Sequence, residues 1–197
     1  MDDIKNSILH ETGGSNLAFR TGDPITKGHQ NATFDPKRLD KLPVRVRPSE
    51  PGDTALIYRS WLKSYHGQNL EQPKRIFYKL HRPVVKRLLE SAITLVACDQ
   101  EKGDDIYAWL CAQRTSRFLV LHYAYTKASF RRFGLQRALV KGFDYHRGEP
   151  TLTSHRGWVS KDLKRKGHTL LYVPYLQHEG GLTQVEEIYA DPSNAIE

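Results

Sequence analysis

Cysteine is scarce in this chain of 197 residues, and so are the features that would mark a secreted, membrane or metal-binding protein. The two cysteines, Cys98 and Cys111, each sit inside an apolar run and form no C-x-x-C. No histidine pair stands at ligand spacing, so a disulfide scaffold and a zinc site are not expected. The expectation is two buried free thiols in a reducing compartment, and no metal. No stretch approaches the roughly 20 apolar residues of a membrane span, and the N-terminus lacks the charged-then-apolar order of a secretory signal. A soluble, cytoplasmic protein with no membrane partner is therefore predicted. Blocks of like charge are missing as well: the longest basic cluster, 161–168, is broken by Asp162, Leu163 and Gly167. That argues against a nucleic-acid arm. Basic residues nonetheless outnumber acidic ones by 30 to 22, a net charge of +8. Such a balance favours an anionic partner: a phosphorylated cofactor, nucleic acid or an acidic protein.

Apolar residues are sparse over residues 1–43, which are rich in Gly, Asn, Asp and Thr. A flexible or extended arm is predicted there, with one short amphipathic turn at Ile4, Ile8 and Leu9 and room for a docking contact with a protein partner. Residues 44–178 read as one domain and 179–197 as an acidic C-terminal tail without a pattern. In the domain, 44–47 alternate as an edge strand ending at Pro48, and Pro51-Gly52-Asp53 supplies a turn and a helix N-cap. Residues 54–66 set Ile57, Trp61 and Leu62 on one helical face. Residues 76–89 repeat the pattern with Ile76, Phe77, Leu80, Val84, Leu88 and Leu89, and Pro83 either kinks this helix or begins a second one. Strands follow at 93–98, 106–112 and 118–126 with short polar turns, which predicts an antiparallel meander. A helix at 135–146, a strand at 151–155, a helix at 158–166 stopped by Gly167, and a strand at 168–176 complete the order β–α–α–β–β–β–α–β–α–β. This is α/β, with a mixed, mainly antiparallel sheet and helices on both faces.

The stretch with most chemical content is FLVLHYAYTKASFRRFGLQRALVKGF, residues 118–143. A strand leads through a basic turn with one glycine into a helix. Backbone N–H groups at a helix start, the helix dipole and a glycine that permits close approach together suit a pyrophosphate. One glycine and two arginines are a weak signal by themselves, because most strand-to-helix turns bind nothing.

The element order from Val44 to Leu176 resembles the GNAT superfamily of acyl-CoA N-acyltransferases. Arg131, Gly134 and Gln136 occupy the three positions of that family's phosphate motif, and VRVRPSEPGDTALI is similar to its first strand and helix. The phrase HYAYTKASFRRFGLQRAL looks most like GNAT-like proteins encoded by bacteriophages. Two departures stand out: Gln136 replaces a residue with almost no side chain, and Leu163 stands where the family often has a proton-donating tyrosine. The resemblance implies acetyl-CoA as acyl donor, held by Ala124, Tyr125, Thr126, Arg131, Arg132, Phe133, Gly134, Leu135, Gln136 and Arg137. Thioester polarisation would fall to a backbone N–H within 124–126, and the acceptor amine would border Tyr65 and His66.

Proton transfer has His122, Tyr125 and Tyr172 as candidates, with Tyr123 and Tyr175 behind them. His122 has the right ordinary pKa for a base near neutrality, but strand alternation places it and Tyr123 on opposite faces. Ser154 and His155, adjacent on a strand, likewise point apart and make no nucleophile–base dyad. Three readings remain: an acyltransferase acting on an unidentified amine by direct attack, an inactive GNAT-fold binding or structural component, and, last, a nucleic-acid binder using the cations of 74–87.

Overall fold

The computed structural model describes residues 42–68, 71–146, 148–165 and 167–190. Most of the predicted arm (1–43), its turn at Ile4, Ile8 and Leu9, and the end of the tail lie outside them. Among the described residues, six strands form one mixed sheet in sequential order: β1 (Val44–Pro48), β2 (Ile93–Asp99), β3 (Ile106–Arg114), β4 (Leu119–Thr126), β5 (Thr151–Thr153) and β6 (Leu170–Tyr172). The first four pair antiparallel, and β2, β3 and β4 form a meander because the turns between them are short. The pairings β4–β5 and β5–β6 are parallel, each bridged by a helix.

Both faces of the sheet are covered. Ile57, Trp61 and Leu62 of α1 (Thr54–His66) pack with Phe77, Val85 and Leu88 of α2 (Lys74–Ser91) on Val96, Trp109, Cys111 and Tyr123. On the opposite face Leu135 and Leu139 of α3 (Leu135–Lys141) pack on Leu95, Ala97, Ala108, Leu110 and Leu119. Leu163 of α4 (Trp158–Arg165) shares a small apolar cavity of about 40 Å³ with Val140, Leu119 and Leu121 on that same face. Cys98 and Cys111 are free and buried.

Several local expectations change. α2 runs unbroken through Pro83. Its buried stripe passes through Phe77, Val85 and Leu88 with His81 between them, while Ile76 and Leu80 of the predicted stripe are exposed at 54% and 68%. A polar-scored histidine on the buried stripe hid the true phase of this helix. Asp53 does not cap α1; it takes the Arg47 guanidinium at 2.6 and 3.2 Å and the Glu50 N–H at 2.8 Å, tying β1 to the turn that follows. α3 ends at Lys141, stopped by Gly142, and β6 has three residues before a 3-10 turn at Pro174–Gln177. The segment without a visible pattern holds α5 (Gly181–Ala190). Its Val185 is buried with Phe118, Val120 and Leu152, and Tyr189 meets Phe118 edge-on at 5.3 Å.

Candidate functional site

The site forms where β4 and β5 part. Leu119, Val120 and Leu121 pair with Thr151, Leu152 and Thr153, and Ser154 N–H reaches Leu121 O at 3.3 Å. β5 then ends, while β4 continues through His122 to Thr126, leaving the side once shared with β5 open over five residues. Lys127 N–H bonds Tyr107 O at 2.9 Å, so the alternation of an antiparallel ladder turns the N–H and C=O of Ala124 away from β3, toward that open side.

A bulge sits at the point of separation. Cys111 pairs with Tyr123 and Ala112 with Leu121, so His122 has no partner in β3. One extra residue reverses the parity of everything beyond it. Tyr123 faces Trp61 and Trp109, and His122 reaches Gln113 on that same face. The expectation that strand alternation separates His122 from Tyr123 is therefore corrected.

Ser154 and His155, expected to point apart on a strand, meet instead. β5 ends at Thr153, so the two residues lie in a bend rather than on a strand, and Ser154 Oγ stands 2.7 Å from His155 Nδ1 and 3.0 Å from His122 Nδ1. At 0% exposure the hydroxyl is closed to a substrate, so it bridges side chains rather than attacking one. His155 Nε2 lies 3.1 Å from His81 Nε2. Burial holds His81 and His122 down to about 4, and His155 lower than usual too, its neighbours His81 and His122 adding to the burial. His81 and His155 were not among the sequence candidates, and a helical position four residues after a buried Phe77 was the available signal for the first.

Tyr65 is half-buried against His81, Tyr123 and His155, with ring centroids 4.8 to 5.8 Å apart. His66 turns to Phe77 and Tyr78 and meets Gln72 O at 3.1 Å. Tyr123 is held by Ser64 Oγ and Gln68 Nε2, each at 3.0 Å, and burial pushes its phenol up to about 12. Tyr125 is half-buried beside Trp109, whereas Tyr172, on β6, lies under the Arg156 guanidinium at 4.5 Å.

The turn into α3 carries two left-handed residues, Arg132 at φ 71° and Gly134 at φ 83°. For glycine that backbone is free of penalty; for an arginine it costs of order 1 kcal/mol and persists only where the surroundings hold it. Arg131, Arg132 and Arg137 are exposed around this turn, whereas Leu135 is buried. Gln136 folds back onto the sheet, its Nε2 donating to Tyr125 O at 2.8 Å and Thr126 Oγ1 at 3.0 Å. Its bulk is thereby turned into the β3–β4 backbone, and its Oε1 is buried with no partner. Among the described residues, no group of three or more His, Cys, Asp or Glu forms a metal site, and no helix is long and apolar enough to cross a membrane.

No family model matches the chain, and no curated protein sequence does. Among solved structures the chain is similar to the GNAT family N-acetyltransferase YhbS from Escherichia coli in complex with CoA, at 20% identity and a TM-score of 0.38 over 52% of this chain and 56% of that one. It is also similar to Ard1 from Thermoplasma volcanium, at 18% identity and a TM-score of 0.32 over 52% of this chain and 62% of that one. A possible acetyltransferase from Clostridium difficile 630 aligns at 12% identity and a TM-score of 0.43, over 63% and 89% of the two chains. The chain thus spans 56% and 62% of the lengths of the first two, and all three likenesses are of fold.

Proposed function

We propose that this protein transfers an acyl group, acetyl in the first instance, from a CoA thioester to an amine by direct attack. The observation that carries the reading is the open side of β4 beyond its last pairing with β5, continued by a basic turn with two left-handed residues into α3. A thioester supplies an activated acyl carbonyl, and the work left to the protein is holding, polarising and moving protons. The backbone from Arg131 to Gln136 and the guanidinium groups of Arg131, Arg132 and Arg137 would hold the diphosphate, with Phe133, Gly134 and Leu135 shaping the turn. Gln136 fits this role because its side chain is folded against Tyr125 and Thr126 rather than over the turn. The N–H of Ala124 is the donor for the acyl oxygen, between Tyr125 and Thr126 on one side and the bulge on the other. Tyr65 and His66 would border the amine. Proton return to the thiolate falls to Tyr125 or Tyr172, since Leu163 has no proton to give.

Calorimetric titration of acetyl-CoA and of free CoA tests this. Saturable binding is expected, lost in Gly134→Trp and weakened in Arg132→Glu, both checked for native circular dichroism. Absence of heat from the folded wild-type protein at high CoA concentration would refute the acyltransferase reading and leave a binding role for the fold.

A further inference from the structure

Three histidines and a serine, drawn from α2, β4 and the bend after β5, lie on one line of hydrogen bonds. Gln113 Oε1 to His122 Nε2 is 2.9 Å, His122 Nδ1 to Ser154 Oγ 3.0 Å, Ser154 Oγ to His155 Nδ1 2.7 Å, and His155 Nε2 to His81 Nε2 3.1 Å. Where each proton resides follows from the partners. Gln113 Nε2 donates to Ser91 O at 2.8 Å, which turns its Oε1 toward His122. His122 therefore carries its proton on Nε2 and accepts at Nδ1. The single proton of Ser154 goes to His122, so Ser154 accepts from His155 Nδ1–H. His155 then accepts at Nε2 from His81 Nε2–H, and His81 Nδ1 remains as the ring nitrogen with an open lone pair. The opposite direction would require a doubly protonated His122 at 2% exposure. Burial opposes that charge.

We propose that these four side chains form a hydrogen-bonded relay that fixes the His81 tautomer and leaves Nδ1 as its open acceptor, and that His81 takes up the proton shed by the attacking amine. The second half of the proposal rests on the acyl-transfer reading. The amine N–H bond breaks and an N–H bond forms at His81 Nδ1. The charge stays on His81, the ring of the set with access to solvent, while its Nε2–H goes on donating to His155 Nε2 and the buried groups behind it keep their tautomers. Loss of the Nδ1 proton to solvent restores the starting state.

Placement supports this role. His122 is the bulge residue and Ser154 and His155 are the first two residues after β5 leaves the ladder, so the line crosses the opening at its apex. Ser154, His122 and His155 are 0%, 2% and 3% exposed, whereas His81 is half-buried and alone has access to solvent. Tyr65 of α1 lies against both His81 and His155, and Tyr123 of β4 against His155. Arg87 of α2 reaches the line only through Gln177, whose amide donates to the Ser154 carbonyl. All three rings are neutral near pH 7, so the relay holds no extra proton at rest.

Long-range nitrogen–proton NMR correlation on the full chain without ligand reads the three tautomers directly. The expected pattern is Nε2–H for His81 and His122 and Nδ1–H for His155, the last being lost in Ser154→Ala. Nε2–H on wild-type His155 overturns the relay, whether or not CoA binds. The role of His81 is read separately, in steady-state kinetics at varied pH. His81→Phe, which keeps the stacking on Phe77 seen at 5.1 Å, is expected to lower kcat by about 100-fold with KM for acetyl-CoA unchanged and the acid limb of the profile displaced. An unchanged kcat and profile in His81→Phe overturns that role. Failure of the CoA titration removes the reaction and leaves the tautomer pattern to stand or fall alone.

Discussion

Acid should unfold this protein earlier than its carboxylates would dictate. The unfolded chain binds its histidine protons near pH 6.5, whereas folded His81 and His122 bind theirs near 4. Between those values the folded state holds fewer protons, so its stability is complete above about pH 6.5 and falls as the pH drops toward 4. The gap amounts to about 3 kcal/mol per ring at 1.36 kcal/mol per pH unit. By pH 5 each ring has given up about 2 kcal/mol, so the two together cost about 4 kcal/mol, and His155 acts in the same direction. A domain of this size holds roughly 5–15 kcal/mol in all, so most of the margin is gone before the carboxylates contribute. Burial by itself raises the Asp53 and Glu149 carboxyl groups, but the Arg47 and Arg114 guanidinium groups outweigh it and hold both below the usual carboxylate range, so their loss comes at lower pH. Urea unfolding followed by tryptophan fluorescence at pH 7.5, 6 and 5 measures this. The free energy should fall by about 4 kcal/mol between the first and the last, and His81→Phe should remove about half of the decline. A value at pH 5 within about 1 kcal/mol of that at pH 7.5 would show that the rings are not held neutral, and the reasoning would fail.

Other perturbations follow from the packing. Trp61 is 0% exposed and stacked on Tyr123 at 5.1 Å, so Trp61→Ala should cost about 3–5 kcal/mol in chemical denaturation; a loss under about 1 kcal/mol would contradict the core described above. Arg47→Ala leaves Asp53, 6% exposed, without its guanidinium and should cost about 3 kcal/mol, with clear coupling in a double-mutant cycle with Asp53→Ala. Burial pushes the Cys111 thiol up to about 12, so a thiol reagent at neutral pH should label it only after unfolding, and fast labelling of the native protein would place it elsewhere. Gln136→Ala should destabilise by about 1 kcal/mol through the lost bond to Tyr125 O, and the same calorimetric titration reads its effect on CoA binding.

Much of the architecture is written in local patterns. Apolar runs joined by short polar turns give the β2–β3–β4 meander, the period of Ile57, Trp61 and Leu62 gives the buried face of α1, and the Arg131–Gly134 turn marks the step from β4 into α3. These are properties of a few neighbouring residues, so a single sequence carries them. Tertiary structure alone decided the rest. One unpaired residue at His122 reverses side-chain parity in β4, and nothing in the local pattern announces a bulge whose cause is the partner strand. Asp53 serves Arg47 rather than α1 because the folded edge of the sheet brings a guanidinium within 2.6 Å. Val185 is buried only because Phe118 and Leu152 present an apolar surface for α5 to cover. His81 and His155 stand 74 residues apart in the chain, and their meeting needs α2 packed on the sheet and β5 ended at Thr153. Periodicity says which face a side chain takes; only packing says what waits there.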